Sequence, residues 1–396
     1  MPKKQPTQPP RRIALAFPNT LVAAGSIMQG LLEYAHTRGG WSFTQIPEQI
    51  SPSCSWLSLW HGDGAFVTIS TSEESLAAQN LPFPVVNLSG YFDNPLLPTV
   101  THDHRTIGQL QARHLLERRF HRLAYYGVSD LWYSRERLAG FQEEARRAGA
   151  HVTPWLVPSG LQARRRWANQ QTELTRLLGL VKLPFAVAAS TDLRACMILE
   201  ACRTMALRIP EDIAVVGVDN DPTLAPFATP PLSSVARNDR ELGFRAAQML
   251  DFLIEGRKQK SIRVLIPSSV VVERRSTETL MVENPETDKL IHAIRAHIGE
   301  PFGVEFLIAR SPLSRSSLEN LFKRDVGCSP YALINRLRVE HASRLLTANS
   351  SQKLTAVAAA CGFTDLRHFR LVFQRHTGRS PAAFRKQSQT ERHSVG

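Results

Sequence analysis

The chain has 396 residues and a formal net charge of +13, from 48 Lys/Arg against 35 Asp/Glu. That length supports two or three domains with cores of their own, and no apolar stretch approaches the roughly 18 residues that a membrane-spanning helix requires. The five cysteines, at 54, 196, 202, 328 and 361, show no Cys-x-x-Cys or Cys/His metal spacing, which argues against a disulfide or zinc scaffold and for buried thiols in a reducing, cytoplasmic compartment.

Residues 1–12 are polar and rich in proline, with no apolar segment of the kind a signal peptide needs, and read as a disordered tail. A buried strand follows at 13–17, then a helix at 24–36 with Ile27, Leu31 and Tyr34 on one face. Further apolar runs at 64–69, 84–88, 122–127, 186–190 and 213–218 read as strands separated by helical segments. Continuous apolar strands of this kind predict parallel, doubly wound sheets covered on both faces, with ligands bound off the carboxyl ends of the strands. Crossovers between two α/β lobes are expected near 99–103, 233–238 and 267–271.

Several residues at those strand ends carry polar or aromatic groups suited to lining a small-molecule site. Asn19 follows the first strand, Asp103 lies at a crossover, Thr191 and Asp192 end another strand, and Trp132 with Tyr133 precedes Arg137. Competing roles exist: Asp103 and Asp192 could cap helices, Arg137 could form an internal ion pair, and Trp132 could pack on the core. The chain carries no Gly-x-Ser-x-Gly elbow, no phosphate-binding Gly-x4-Gly-Lys-Ser/Thr loop and no His-x3-His pair, so neither enzyme chemistry nor a cofactor or metal is expected. His102 and His104 flank Asp103 and are expected to face solvent.

Residues 278–288, rich in Glu, Thr and Asn, read as a linker to an all-α region at 289–390, with 391–396 as a tail. In that region Leu366, Phe369, Val372 and Phe373 form one apolar stripe of helical period, with Gly362 in the turn before it. The pattern repeats. Residues 307–314 align with 357–364 at an offset of 50, and Leu318, Leu321, Phe322, Gly327, Ser329 and Pro330 align with Phe369, Val372, Phe373, Gly378, Ser380 and Pro381 at an offset of 51. Two helix-turn-helix units are therefore expected, the second with one more residue in its turn, joined by a helix whose buried positions are Leu333, Leu337, Ala342 and Leu345. Starting the first recognition helix at Ser314 exposes Arg315, Ser316, Glu319 and Asn320. Starting the second near Thr364 exposes Arg367, His368 and Arg370. These suit base edges, whereas Lys323 and Arg375 suit phosphates. Residues 285–396 hold 17 Lys/Arg and 9 Asp/Glu, so +8 of the charge lies in this short region, as phosphate binding requires.

The order Ala-x3-Gly-Phe-x5-Phe-x3-Phe-x4-Gly-x-Ser-Pro-x2-Phe-Arg, from Ala358 to Arg385, resembles the AraC/XylS family of transcription regulators over 289–390, with Pro312 where the family usually has Gly and Gln374 where it usually has a basic residue. Residues 101–108, 135–141, 190–192, 215–220, 230–235 and 266–277, in that order, resemble the effector domain of the LacI/GalR repressors, a periplasmic-binding-protein-like fold, over 13–277. Only the Pro-rich segment precedes Ile13, where that family usually carries its helix-turn-helix. The resemblance implies that Arg137 and Asp219 hold sugar hydroxyls. Together the two resemblances imply a sugar-responsive activator of catabolic genes, D-xylose leading among the pentoses, acting as a homodimer on double-stranded operator DNA with RNA polymerase as partner. A repressor of the same architecture, a transport solute-binding protein and a sugar-modifying enzyme are the alternatives.

Overall fold

The computed structural model describes residues 10–17, 22–45, 55–93, 96–159, 163–257, 262–268, 270–278, 284–348 and 352–385. The chain divides into two compact units, residues 1–279 and 280–396. No helix among the described residues is long and apolar enough to cross a membrane.

The first unit has two lobes. The chain builds most of lobe 1 from β1 (Arg11–Ala16), α1 (Val22–Arg38), β2 (Trp41–Gln45), β3 (Gly64–Val67), α2 (Ser72–Gln79), β4 (Val85–Asn87) and β5 (Thr99–His102). It then crosses to lobe 2 with α3 (His104–Glu117), β6 (Arg122–Val128), α4 (Trp132–Arg147), β7 (His151–Val157), α5 (Ala163–Leu180), β8 (Phe185–Ala189), α6 (Asp192–Thr204), β9 (Ile213–Asp219) and β10 (Ser233–Ala236). Helix α7 (Asp239–Ile254) and β11 (Arg263–Ile266) return to lobe 1, and β12 (Val271–Val272) crosses a last time. The sheet orders are β11-β5-β4-β3-β1-β2 and β12-β10-β9-β8-β6-β7. Every pairing is parallel except β10 with β12.

Strands β1, β3, β8 and β9 are buried along nearly their whole length because helices cover both faces. In each lobe two helices cross at paired glycines. A Cβ on Gly30 of α1 would lie 2.0 Å from the Arg240 carbonyl of α7, and one on Gly243 would lie 2.1 Å from that of Ile27. Gly108 of α3 and Gly140 of α4 approach the Arg137 and Arg105 carbonyls equally closely, at 1.9 and 2.0 Å. Only glycine permits backbones this near.

The strand that was expected to start at residue 13 starts at Arg11. The Arg11 guanidinium pairs with Asp251, a buried carboxylate on α7, and the Arg11 backbone N–H donates to the Gly40 carbonyl at 2.6 Å. The Arg12 backbone N–H donates to Asp63 Oδ2 at 2.6 Å, and these contacts fix two residues that composition assigned to the tail.

The first unit ends inside lobe 2. Ser276 and Thr277 are fully buried. The Ser276 hydroxyl donates to the Val215 carbonyl at 2.6 Å, and Thr277 Oγ1 meets His114 Nε2 at 2.8 Å and Ser233 Oγ at 2.7 Å. Just before them, Arg274 donates to Asn220 Oδ1 and the Leu232 carbonyl, both at 2.7 Å. The loop after β9 and the exit of the chain are thus joined by one guanidinium.

The second unit contains α8 (Pro285–Ala296), α9 (Val304–Ile308), α10 (Arg315–Val326), α11 (Pro330–Ala348), α12 (Leu354–Ala360) and α13 (Leu366–Thr377). Helix α8 starts inside the segment read as linker, because Asn284 caps it, accepting from the Glu286 N–H, and Pro285 occupies the first turn. Among the described residues there are two small cores. Leu290, Ile294, Leu307, Leu318, Phe322, Leu333 and Leu337 form one; Ala342, Leu346, Val357, Phe363, Phe369 and Phe373 form the other. Helix α11 serves both, and Leu345 is only partly buried. Arg338 ties the halves together. Its Nη2 donates to the Glu300 and Phe302 carbonyls at 3.0 Å, and its guanidinium lies 4.9 Å from the Phe302 ring and 5.6 Å from the Phe363 ring. Gly362, at φ +72°, fits beneath: a Cβ there would lie 2.4 Å from the Glu300 carbonyl.

The extra residue of the second repeat lies in its helix, not in its turn. Val304 and Leu307 of α9 correspond to Leu354 and Val357 of α12, but α12 continues to Ala360 while α9 stops at Ile308. Pro312 accounts for the early stop: it has no N–H for the Ile308 carbonyl and it disfavours helical backbone at Ser311.

Candidate functional site

The carboxyl ends of the lobe 2 strands gather most of the charged groups. Asp219 ends β9 at φ +117° and Asn220 follows at φ +48°, conformations rare for residues with a Cβ. Asp219 Oδ1 lies 3.2 Å from Arg237 Nη1, and Arg237 Nη2 lies 3.3 Å from Asp239. Asp239 Oδ1 in turn meets His102 Nε2 at 2.8 Å. One chain of ion pairs and a hydrogen bond therefore runs from the end of β9 through two of the three crossovers. Burial raises the Asp219 pKa against the pull of Arg237 and Arg137. Burial would also raise Asp239, but Arg237 and the His102 hydrogen bond hold it down to about 2.

Arg137, on α4, is 1 % exposed. Its Nη1 donates to the Ser190 carbonyl at the end of β8, its guanidinium lies 4.9 Å from the Tyr133 ring, and its Nε has no partner among the described residues. A buried, unpaired guanidinium N–H is costly unless something arrives to accept from it. Ser190 Oγ, just past the end of β8, is likewise without a partner among the described residues.

Helix α4 begins at Trp132 with no side-chain cap, and lobe 1 satisfies its first N–H groups. Trp132 and Tyr133 donate to the carbonyls of Tyr91 and Gly90, each at 2.9 Å. The Trp132 ring sits edge-on to His104 at 5.4 Å with the Arg263 guanidinium 4.9 Å from its centre. The Tyr91 and Tyr133 rings lie 6.0 Å apart.

The other expected site residues have structural partners. Asp103 caps α3, accepting from Thr106 N at 3.0 Å and from its hydroxyl at 2.6 Å. Thr191 caps α6 through the Arg194 N–H at 3.3 Å. Asp192 is buried and accepts from the Ser234 hydroxyl at 2.5 Å and from Asp221 N at 2.8 Å, which pins the loop after β9. Asn19 lies outside the described residues. His102 and His104 do not face solvent: both are buried, because the crossover threads between the lobes. Burial lowers both pKa values, that of His104 strongly and with Arg137 assisting. Among the described residues no group of His, Cys, Asp or Glu could hold a metal ion. Sequence reasoning missed Arg237. Its only signal was its place in a crossover, two residues before an Asp.

Burial, then the neighbouring Asp219, push Asp192 up to about 7. A carboxyl whose folded pKa lies above its unfolded value favours folding below the unfolded pKa, and that contribution is lost as pH rises towards the folded pKa. Asp192 therefore contributes a fall in the melting midpoint of the first unit as pH rises from about 4 to 7, against which the buried His102 and His104 contribute a rise. Asp192→Asn keeps an acceptor for Asp221 N and supplies a donor for Ser234, so its midpoint relative to that of wild type should climb with pH over that range. Equal slopes in melts at stepped pH would remove Asp192 as the cause.

In the second unit, Ser314 caps α10 and Asp365 caps α13 through the N–H groups of Arg367 and His368. Thr364 therefore lies outside the recognition helix; Asp365, with two oxygens for two N–H groups, sets the start one residue later. Arg315, Ser316, Asn320, Lys323, Arg367, Arg370 and Arg375 are exposed, and Glu319 and His368 are partly so. Arg315 stands 3.3 Å from Glu305 and 3.6 Å from Glu319, exposed pairs that a guanine edge can replace at little cost. His368 Nε2 lies 3.3 Å from the Tyr331 hydroxyl.

Residues 112–277 match the periplasmic binding protein-like domain family, and residues 307–387 match a helix-turn-helix domain family. The xylose operon regulatory protein of Escherichia coli K12 is 27 % identical over 382 residues, covering 94 % of this chain and 96 % of that protein. Its counterpart in Haemophilus influenzae is 26 % identical, covering 94 % and 98 %. A solved xylose-binding transcription activator superposes with a TM-score of 0.65 at 26 % identity, over 95 % of this chain and 98 % of that one. The regulator CelR, solved with cellobiose, shares the fold of the first unit at 23 % identity, with a TM-score of 0.55 over 68 % of this chain and 86 % of that one.

Proposed function

We propose that this sugar-responsive, DNA-binding transcription regulator is a cytoplasmic activator of pentose catabolism genes whose effector is D-xylose or a close relative. The observation that carries the reading is the order of domains: a sugar-binding fold followed by a double helix-turn-helix, aligned end to end with xylose operon regulatory proteins. Arg137 and Asp219 hold the sugar hydroxyls, Arg237 orients Asp219, and Tyr133 or Trp132 offers the aromatic face. Asp103, Thr191 and Asp192 support the site from the strand ends by holding its loops, and Asn19 is proposed as a further ligand group from its place in the sequence. A ligand touching both lobes changes the free-energy difference between lobe arrangements. In a homodimer that change alters how two DNA-binding units meet an operator, and with it the recruitment of RNA polymerase.

Melting with a panel of free sugars tests the effector. A sugar at a hundred times its Kd stabilises the folded state by about 2.7 kcal/mol. Pentoses should raise the midpoint of the first unit and hexoses should not; a shift with hexoses alone overturns the assignment. The fragment 280–396 should bind DNA with affinity that falls steeply as salt rises, while 1–279 binds sugar and no DNA. A reporter gene induced in a strain lacking this chain would show it to be a repressor.

A further inference from the structure

Leu371 is 61 % exposed, in the middle of a recognition helix. Single exposed leucines are common on protein surfaces and mean little by themselves. The surroundings of this one are specific. Arg367 lies one turn before it and Gln374 one turn after, Arg370 adjoins it, and all three are exposed. Phe369, Val372 and Phe373 fill the opposite face.

The repeat gives Leu371 a counterpart. Helices α10 and α13 have the same length of 12 residues, each opens on a side-chain cap, Ser314 or Asp365, and each closes on a left-handed glycine, Gly327 at φ +79° or Gly378 at φ +72°. Counted from the caps, Ser316, Glu319 and Asn320 of α10 occupy the positions of Arg367, Arg370 and Leu371 in α13. Both triplets face outward from their cores. Asn320 carries an amide that fits the N6 and N7 groups of adenine. Leu371 can neither donate nor accept. On the base edges of the major groove the one apolar feature is the C5 methyl group of thymine.

We infer that Leu371 is a base-reading residue that recognises the methyl group of a thymine in the operator. This rests on the DNA-binding reading above. The two helices then select A·T pairs at matched positions by opposite means: an amide on the adenine edge in one, a buried methyl in the other. Arg367 and Arg370 flank the contact with donors for guanine edges or phosphates.

The test uses the full chain, with and without D-xylose, and an operator obtained by in vitro selection. Each thymine is replaced in turn by deoxyuridine, which removes the methyl and leaves pairing unchanged. At one position in the segment protected by α13 the substitution should weaken wild-type binding about fourfold, the worth of one buried methyl. At that same position Leu371→Ala and Leu371→Gln should bind thymine and uracil operators equally. Both substitutions lie on the exposed face and leave the core intact, which melting of each variant checks. Wild-type chain indifferent to uracil at every thymine overturns the inference, and so does discrimination that persists in both variants. A chain that selects no DNA sequence at all sinks the regulator reading itself and this inference with it.

Discussion

Arg137→Ala is expected to weaken D-xylose binding about ten- to a hundredfold, the worth of a hydrogen bond from a charged donor, roughly 1.5–3 kcal/mol. The reason is burial. At 1 % exposure, with one N–H already committed to the Ser190 carbonyl and Nε unpaired among the described residues, the guanidinium is pre-positioned and gains an acceptor only when ligand arrives. Arg137→Lys should rescue little, because an ammonium cannot reproduce the planar fork. Asp219→Asn should also weaken binding, and it leaves Arg237 facing Asp239 alone. Calorimetric titration reads all three. Unchanged affinities in folded variants would place the sugar elsewhere.

Phe369→Ala should unfold the second helix-turn-helix and abolish DNA binding. The ring is fully buried, 5.2 Å from Phe363 and 5.6 Å from Phe373. Removing a buried phenylalanine costs about 3–5 kcal/mol, much of the roughly 5–15 kcal/mol that holds a typical domain together. Sugar affinity should be untouched, since the residues proposed to hold the sugar lie in the other compact unit. Circular dichroism melts of 280–396 and sugar titrations of the full-length variant separate the two effects. A melting midpoint equal to wild type would mean that this half of the small domain has another core.

Much of the fold was legible because the central strands are unbroken apolar runs. The expected helix at 24–36 is observed at Val22–Arg38, and the expected strand at 213–218 at Ile213–Asp219. Strands β2 and β7 left no such signal. Both lie at sheet edges, where solvent reaches one side and polar residues or Pro154 are tolerated. The apolar stripe of α13 gave the recognition helix, but the stripe alone does not mark where a helix begins, and Asp365 decided that. Candidate residues were legible where polar side chains sit at the ends of apolar strands, as Asp219 does. Arg237 was not, because Asp219, the partner that places it at the candidate site, lies on a separate strand that only folding brings beside it. The burial of His102 and His104 escaped for the same reason.

The Arg274 bridge constrains how such a regulator can change its diet. One guanidinium holds both Asn220, beside Asp219, the proposed sugar ligand, and the stretch from which the chain leaves for its DNA-binding half. Substitutions at the end of β9 that alter sugar preference will therefore also disturb the output. On the facing surface of lobe 1, Tyr91 makes no hydrogen bond to Asn220 or Arg274 among the described residues. New inducers are most accessible to evolution, and to engineering, through lobe 1, where appetite can drift while the wiring from sensor to promoter is left intact.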